Sequence, residues 1–277
     1  SDDDGGGLSC DGSGASDECA PTLSNVRFIG NEADFSGGAV HYDAGSDGSF
    51  RPKLRNVVFQ ANAAGVGGGG IHAQGGVELY VTNAVFSGNS GGGKGGAMYL
   101  EHTTAGNAIQ PQITNATFVD NETTGDGGAI NFFANSSPLD PTIVNSIFWQ
   151  NTADAEGNQI WASSGAGSLA LEVSHTRVQT GTPNIKLVLG ATVNTTSLLT
   201  EDPLFANSSA PSGFDGTLAT ADDGLNLAPN SPVLDAGTNA PFDPGGVAET
   251  VSTDLTGDAR IQDNGNGNTV NLGAYEA

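Results

Sequence analysis

The segment 113–121 reads Ile-Thr-Asn-Ala-Thr-Phe-Val-Asp-Asn, and Gly-Gly-Ala-Ile follows at 127–130. The same pattern, Asn-x-x-Phe-x-x-Asn with a glycine motif twelve residues after the first Asn, occurs five times. The first Asn residues of the five copies are Asn25, Asn56, Asn83, Asn115 and Asn145. The Phe residues of the same copies are Phe28, Phe59, Phe86, Phe118 and Phe148. Self-similarity at a period of about 30 residues indicates a solenoid.

The spacing between copies shows where the chain tolerates insertions. Successive first Asn residues lie 31, 27, 32 and 30 residues apart, while the spacing inside the motif is constant. The variable part therefore follows the glycine motif, as expected for a surface loop beside two fixed short strands. Parallel strands stacked about 4.8 Å apart would align equivalent residues into columns along the axis.

These columns predict an all-β fold, a right-handed parallel β-helix with turns of about 30 residues. We expect the Phe column inside the coil. The Asn residues are expected at its corners, where Asn tolerates a left-handed backbone. Inside the tube, each Asn amide would bond to the Asn of the next turn and so satisfy a buried polar group.

The regular pattern fades along the chain. After residue 160 the repeat blurs, and beyond Glu201 the sequence is rich in Pro, Gly and Asp. We therefore predict an acidic, glycine-rich N-terminal arm at 1–20, β-helix turns at 21–200, and irregular final turns with a C-terminal cap at 201–277. The cap is expected to cover the open end of the coil, which would otherwise expose the core.

The charge balance excludes some classes of partner. The chain has 8 Lys and Arg residues against 31 Asp and Glu residues, a formal net charge of −23. Such a surface repels nucleic acid and anionic membranes, so neither is expected as a partner. No apolar run approaches the 18 or so residues that a membrane helix needs, so no membrane insertion is predicted.

The two cysteines, Cys10 and Cys19, lie close together in a Gly-, Ser- and Asp-rich stretch. We predict a local disulfide there, with two free thiols as the alternative. A disulfide indicates an oxidising, exported setting. The sequence shows no signal peptide, so we expect a mature, processed chain that is extracellular or at the cell surface.

The repeat also resembles a known family. Gly-Gly-Ala-Ile combined with Phe-x-x-Asn is similar to the signature of the chlamydial polymorphic outer-membrane proteins, whose passenger regions are β-helical adhesins. The C-terminal third resembles the closing region of many bacterial and archaeal surface β-helix proteins. The residues that carry this second resemblance are Asp202–Phe205, Ser231–Gly237, Asp254–Ile261 and Gly273–Glu276.

The resemblance covers about residues 23–276 and is specific for the fold rather than for an activity. It implies a surface-exposed β-helical protein. Neither a membrane barrel nor a sorting tail follows the closing motif, so we expect export and anchoring by another route.

Many parallel β-helices cleave polysaccharides, which makes an enzyme the alternative interpretation. Hydrolysis in such a fold needs paired carboxylates on one strand face. Asp222 and Asp223 fall in the irregular C-terminal region, no Gly-His-Gly motif occurs, and the few basic residues do not suit a lyase. We predict no catalytic residues, and polysaccharide binding or cleavage stays as the alternative function.

The residue that ends each glycine motif forms an aliphatic column, namely Val40, Ile71, Met98, Ile130 and Ile160. The next residue of each turn forms a candidate ligand face, since alternation points it away from the core. Its members are His41, His72, Tyr99, Asn131 and Trp161. Adjacent imidazoles could hold a transition metal. The favoured interpretation is an outward polar and aromatic stripe that contacts a glycan or a partner protein.

Two further features suggest binding roles. A calcium-loop pattern without its closing Glu occurs at Asp263, Asn264, Asn266 and Asn268, with a simple turn as the alternative. No cofactor is expected to be required, and the ion that this pattern favours is calcium. Acidic residues of the N-terminal arm either are solvated or dock onto a basic island in a neighbouring subunit. The two sets are Asp2, Asp3, Asp4 and Arg51, Lys53, Arg55.

Five Asn-x-Ser/Thr sequons occur. Asn115 and Asn121 lie in the Asn columns and are expected to be inaccessible. Asn135, Asn194 and Asn207 are expected in loops, open to glycosylation. Together these features predict a non-enzymatic structural or adhesive β-helix whose partner is another copy, in a filament, or a cell-surface glycan.

Overall fold

A computed structural model describes residues 3–12, 19–45, 48–179, 184–243, 245, 246, 248, 251–261 and 269–276. The fold is all-β, and short parallel strands coil in successive turns of roughly 30 residues. The prediction of a parallel β-helix is therefore confirmed.

The strands in chain order are β1 (Leu8–Asp11), β2 (Thr22–Ile29), β3 (Glu32–Ala33), β4 (Val40–Asp43), β5 (Ser49–Phe50), β6 (Lys53–Gln60), β7 (Ala63–Ala64), β8 (Ile71–Gln74), β9 (Gly76–Val77), β10 (Tyr80–Ser87), β11 (Ser90–Gly91), β12 (Met98–His102), β13 (Gln112–Val119), β14 (Glu122–Thr123), β15 (Ile130–Ala134), β16 (Thr142–Val144), β17 (Ile147–Trp149), β18 (Thr152–Ala153), β19 (Ile160–Ser164), β20 (Ala170–Val178), β21 (Ile185–Val188) and β22 (Thr192–Leu199). A 3₁₀ helix spans Ala240–Phe242.

Three parallel sheets run along the coil. The first sheet has seven strands in the order β1-β4-β8-β12-β15-β19-β21. The second sheet runs from β2 through β6, β10, β13, β17 and β16 to β20, which also pairs with β22. The third sheet contains the two-residue strands β3, β7, β11, β14 and β18. Each strand therefore pairs with its equivalent in the next turn.

The Phe column lies inside the coil. Successive rings from Phe28 to Phe148 are stacked, with centroids 4.6–5.0 Å apart and interplanar angles of 9° or less. Four of the five rings are fully buried, and Phe28 at the N-terminal end is half-buried. Ring spacing equals strand spacing because each Phe pairs in register with the next.

The first Asn column has the expected backbone but not the expected position. All five residues have φ between 50° and 59°. Their side chains lie on the outside of a bend in the second sheet, so the prediction that they line the interior is wrong. Asn25 is exposed there, whereas Asn115 and Asn145 are buried because later chain segments cover them. As predicted, amide hydrogen bonds of 2.6–3.2 Å join Asn56 to Asn25, Asn83 to Asn56 and Asn145 to Asn115. The ladder is interrupted between Asn83 and Asn115, where Asn83 Oδ1 accepts from Arg260.

The second Asn of each motif forms the interior ladder. The amide nitrogens of Asn31, Asn62, Asn89 and Asn121 each donate to the side-chain oxygen of the next Asn, at 2.8–2.9 Å. That oxygen also accepts from the backbone N–H of the preceding Asn, as in Asn62 N–H to Asn89 Oδ1 at 3.1 Å. The left-handed residue at this corner is the one before the Asn, not the Asn itself.

The glycine motif serves two purposes. Gly68 has a φ of 65° and makes the turn into β8. Gly69 lies against the next turn, where a Cβ would stand 2.4 Å from the carbonyl oxygen of Gly96. A side chain at the second position would therefore separate adjacent turns.

The described residues of the C-terminal segment 201–276 lie along the side of the coil. Its apolar residues pack on the outer face of the second sheet, where Leu218, Leu225 and Tyr275 contact Val58 and Val85. A second contact joins Val233 and Leu272 to Ile147 on the same sheet. The described residues of the segment therefore lie on the side of the coil and not over its open end, where the cap was predicted. They cover apolar side chains that the middle turns of this sheet present outward.

The N-terminal segment is part of the coil rather than a solvated arm. Strand β1 pairs with β4, and Leu8 aligns with Val40 of the aliphatic column. Cys10 and Cys19 are disulfide-bonded, with their Cα atoms 5.8 Å apart. Cys10 aligns with the buried Tyr42, so the disulfide crosses the interior of the first turn. It replaces the apolar contacts that close the later turns.

We expect the paired substitution Cys10→Ser and Cys19→Ser to weaken the first turn by about 2–3 kcal/mol, because the bond closes a loop of about ten residues. Hydrogen exchange should speed up in β1, while exchange in β10 and β13 stays unchanged. Equal protection of β1 with and without the bond would contradict this role.

Candidate functional site

The predicted ligand face exists as a column but not as an open surface. The rings of His41 and His72 stack with centroids 5.0 Å apart, and those of His72 and Tyr99 stack at 4.8 Å. His41, His72, Tyr99 and Asn131 are at most 6 % exposed, and Trp161 is half-buried. The side chains point away from the core as expected. They are nevertheless shielded by one another and by neighbouring side chains, so the predicted flat contact surface is wrong.

A charged network covers the centre of this column. The ammonium of Lys94 donates to the Tyr99 hydroxyl at 2.8 Å and lies 4.6 Å from the centre of the Tyr99 ring. Tyr99 donates to Glu101 at 2.6 Å, and His72 Nε2 lies 3.4 Å from the other oxygen of Glu101. Burial opposes the charge of Glu101, but the contacts from His72 and Tyr99 outweigh it and hold the pKa of Glu101 below its usual value.

The imidazoles do not converge on a metal position. The two rings are nearly parallel, 26° apart, so their nitrogens do not point at a common centre. Burial, with the neighbouring His72 second, lowers the pKa of His41. Among the described residues, no group of three or more His, Cys, Asp or Glu side chains could hold a metal ion. The predicted calcium loop at 263–268 lies outside the described residues.

Two of the residues predicted to make assembly contacts are engaged within their own chain. Asp4 accepts a hydrogen bond from the Ser36 backbone N–H at 2.6 Å, which fixes it against its own chain. Arg51 pairs with Glu78 at 3.3 Å. Of the other residues in the two sets, Asp3 and Lys53 are exposed and Arg55 is half-buried. Asp2 lies outside the described part of the chain.

The five sequons differ in exposure, and the two in the Asn columns are the buried ones. Asn115 and Asn121 are fully buried. Asn135 and Asn207 are exposed in connecting segments. Asn194 is also exposed, but it lies on β22 rather than in a loop.

The two ends of the coil carry open strand edges. Among the described residues, β1 and β2 at the N-terminal end each have a partner on one side only, and at the other end the same holds for β21 and β22. No described residue of the C-terminal segment pairs with the free edge of β21 or β22. The inward side chains at the two ends are only half-buried; they are Leu8, Leu23, Val26, Phe28 and Ile185, Leu187, Val193, Leu198.

Two members of the columns were missed in the sequence. The left-handed column continues through His175 and Ser197, with φ of 43° and 52°. The signal was present, because Val173-x-His175-x-x-Val178 repeats the spacing of Ile143-x-Asn145-x-x-Phe148. The continuation of the column was not recognised in the sequence because neither residue is Asn.

The described residues include no helix that is long and apolar enough to cross a membrane. No protein-family model matches the chain, and no curated protein and no solved structure matches it either. The resemblance to the chlamydial surface proteins therefore stays a prediction. The geometry of the molecule is what bears on its function.

Proposed function

We propose that the protein is a structural element of an extracellular or cell-surface assembly, a β-helical rod whose copies join end to end. The observation that carries this proposal is the match between the two ends of the coil. Each end offers a four-residue strand of the first sheet and an eight-residue strand of the second, both unpaired on the outer side. Open strand edges of this kind are templates for pairing with another chain.

The columns define the register of the contact. A second copy placed one strand spacing away, about 4.8 Å, sets Ile185 of one copy over Leu8 of the next. Leu187 then lies over Cys10, because these residues share columns within the coil. The contact buries apolar side chains that are half-exposed in the single chain. Because it is head-to-tail and does not close on itself, it builds filaments.

The two ends of the first sheet differ in charge. Lys186 at the C-terminal end lies in the outward row that begins with Ser9 and pairs with Glu156 of its own chain at 2.7 Å. Asp4 and Asp11 act on His41 in this row, so the N-terminal end is acidic there. The net charge of −23 nevertheless repels whole copies. Added salt screens this repulsion and should promote assembly.

The disulfide supports an exported setting, since such bonds persist where the surroundings are oxidising. The long sides of a filament would be free for adhesion. The resemblance to surface adhesins supports the same assignment.

We expect the Leu187→Lys variant to stay monomeric under conditions in which the wild-type protein forms oligomers that grow with concentration. An ammonium inside the contact would be desolvated without a partner. The matched control is Leu189→Lys, because Leu189 is adjacent, apolar and 71 % exposed but lies outside the strands. Sedimentation velocity measures both. A wild-type protein that stays monomeric, or a Leu187→Lys variant that assembles like the wild type, would contradict the proposal.

A further inference from the structure

The C-terminal segment leaves part of the second sheet uncovered, and a groove lies there. Two adjoining cavities of about 340 Å³ and 480 Å³ share Gln112 and Thr142 in their floor. One wall of the larger cavity is the C-terminal segment around Pro241 and Gly246. These volumes fall in the range of ligand-binding clefts.

The floor of the groove presents unused hydrogen-bonding groups. Gln112, Thr142 and Glu172 are in register on three successive turns, about 4.8 Å apart. Gln110 and Asp140 lie beside them in the smaller cavity. None of these five side chains hydrogen-bonds to another residue in the described part of the chain, although elsewhere the C-terminal segment bonds extensively to this sheet.

His175 departs from the repeat beside the larger cavity. It lines the larger cavity at a left-handed position that Asn occupies in the earlier turns. Asn145, one turn before, both donates to and accepts from the backbone of Thr238. The Nδ1 atom of His175 is enclosed and has no hydrogen-bond partner among the described residues. Because this atom is enclosed by the protein, His175 shapes the wall of the larger cavity rather than offering a hydrogen bond to it.

The charge of the groove restricts the class of ligand. Its lining contains two carboxylates and no Lys or Arg, and the protein as a whole is strongly acidic. Anionic ligands such as uronates or sulfated sugars are therefore repelled. Carboxamide, hydroxyl and carboxylate groups bond well to sugar hydroxyls. The nonpolar surfaces of Val144 and Pro241 can contact the apolar face of a sugar ring.

We propose that this groove binds an uncharged polysaccharide. The floor residues bond to its hydroxyl groups, and His175 forms part of the wall of the larger cavity. The site lies on the outer face of the second sheet and reaches Glu172 on β20, whereas end-to-end pairing uses the far edge of the neighbouring strand β22. Glycan binding and end-to-end assembly are therefore separable properties.

The test is affinity electrophoresis of the full chain in gels that contain glucan, mannan, galactan or xylan. Polygalacturonate and a sulfated glycan are the charged comparators. We expect retention by at least one neutral polysaccharide, and no retention by the charged ones. The double variant Gln112→Ala and Thr142→Ala should bind about tenfold more weakly or worse, since it loses at least two hydrogen bonds. Thr152→Ala, an exposed strand threonine on the third sheet, is the matched control and should bind as the wild type does.

A second variant separates blocked binding from misfolding. Ala170 lines the smaller cavity and is exposed on β20, so Ala170→Trp fills the groove without removing a hydrogen bond. It should abolish retention while the circular dichroism spectrum and the assembly state stay unchanged. The proposal is overturned if no neutral polysaccharide is retained, if only charged glycans are, or if both groove variants bind like the wild type.

Discussion

Replacing Asn89 with leucine is expected to lower the free energy of unfolding by about 4 kcal/mol or more, because it leaves several buried polar groups unpaired at once. Asn89 is fully buried in the interior amide ladder. Its amide nitrogen donates to the Phe59 carbonyl at 3.0 Å and to Asn121 Oδ1 at 2.8 Å. Its side-chain oxygen accepts from both the backbone and the side-chain N–H of Asn62.

Leucine has a similar volume, so the loss reflects hydrogen bonding rather than a cavity. Two donors of Asn62 and the Phe59 carbonyl would be buried without partners, each at a cost of about 1–3 kcal/mol. Urea unfolding at neutral pH measures the effect. Asn31→Leu is the control from the same column, because Asn31 is half-buried at the end and only donates. Its loss should be less than half as large. Equal losses for the two variants would show that the ladder is not the source of stability.

The second large effect is expected at Arg260, which joins the C-terminal segment to the coil. Arg260 is 1 % exposed, pairs with Glu276 at 2.6 Å and donates to Asn83 Oδ1. We expect Arg260→Met to cost about 3–5 kcal/mol, because it leaves a buried carboxylate without its partner. The double variant Arg260→Met and Glu276→Gln should recover part of this loss. A double variant as unstable as the single one would mean that the arginine contributes packing rather than charge.

The same pair gives a pH dependence. Burial raises the pKa of Glu276 to about 7, although Arg260 opposes the rise. The folded protein therefore binds this proton more tightly than the unfolded chain. The contribution of Glu276 to stability is present below its unfolded pKa and is lost as the pH rises through about 7. The difference in free energy of unfolding between the wild type and Glu276→Gln should accordingly decrease from pH 4.5 to pH 7. A constant difference would contradict this assignment.

Much of the coil could be predicted from the sequence because its turns repeat. The Phe column and the constant spacing inside each motif follow directly from stacking equivalent residues. The first strand was missed because Leu8 and Cys10 lie in a Gly- and Asp-rich stretch that resembles a flexible arm. Their alternation is that of Val40 and Tyr42, but a two-residue pattern alone is a weak signal.

The placement of the C-terminal segment could not be predicted, because it depends on contacts between residues far apart in an irregular chain. Arg260 and Glu276 lie within motifs that the sequence identified, yet nothing in their spacing indicates that they meet Asn83. The groove is formed by this placement of the C-terminal segment, so it could not be predicted from the sequence either. The exposure of the ligand face was predicted wrongly. The alternation of residues along a strand indicates which way a side chain points but not whether neighbouring side chains cover it, and here Lys94 covers Tyr99.

The most direct test of end-to-end joining is electron microscopy of the purified wild-type protein at low and high salt. Seven strands of the first sheet at about 4.8 Å each give about 34 Å of coil per copy. We predict filaments, more abundant at high salt, with an axial repeat of about 34 Å and strands perpendicular to the axis. Single short rods at every salt concentration, or filaments in which the copies pack side by side, would contradict the account.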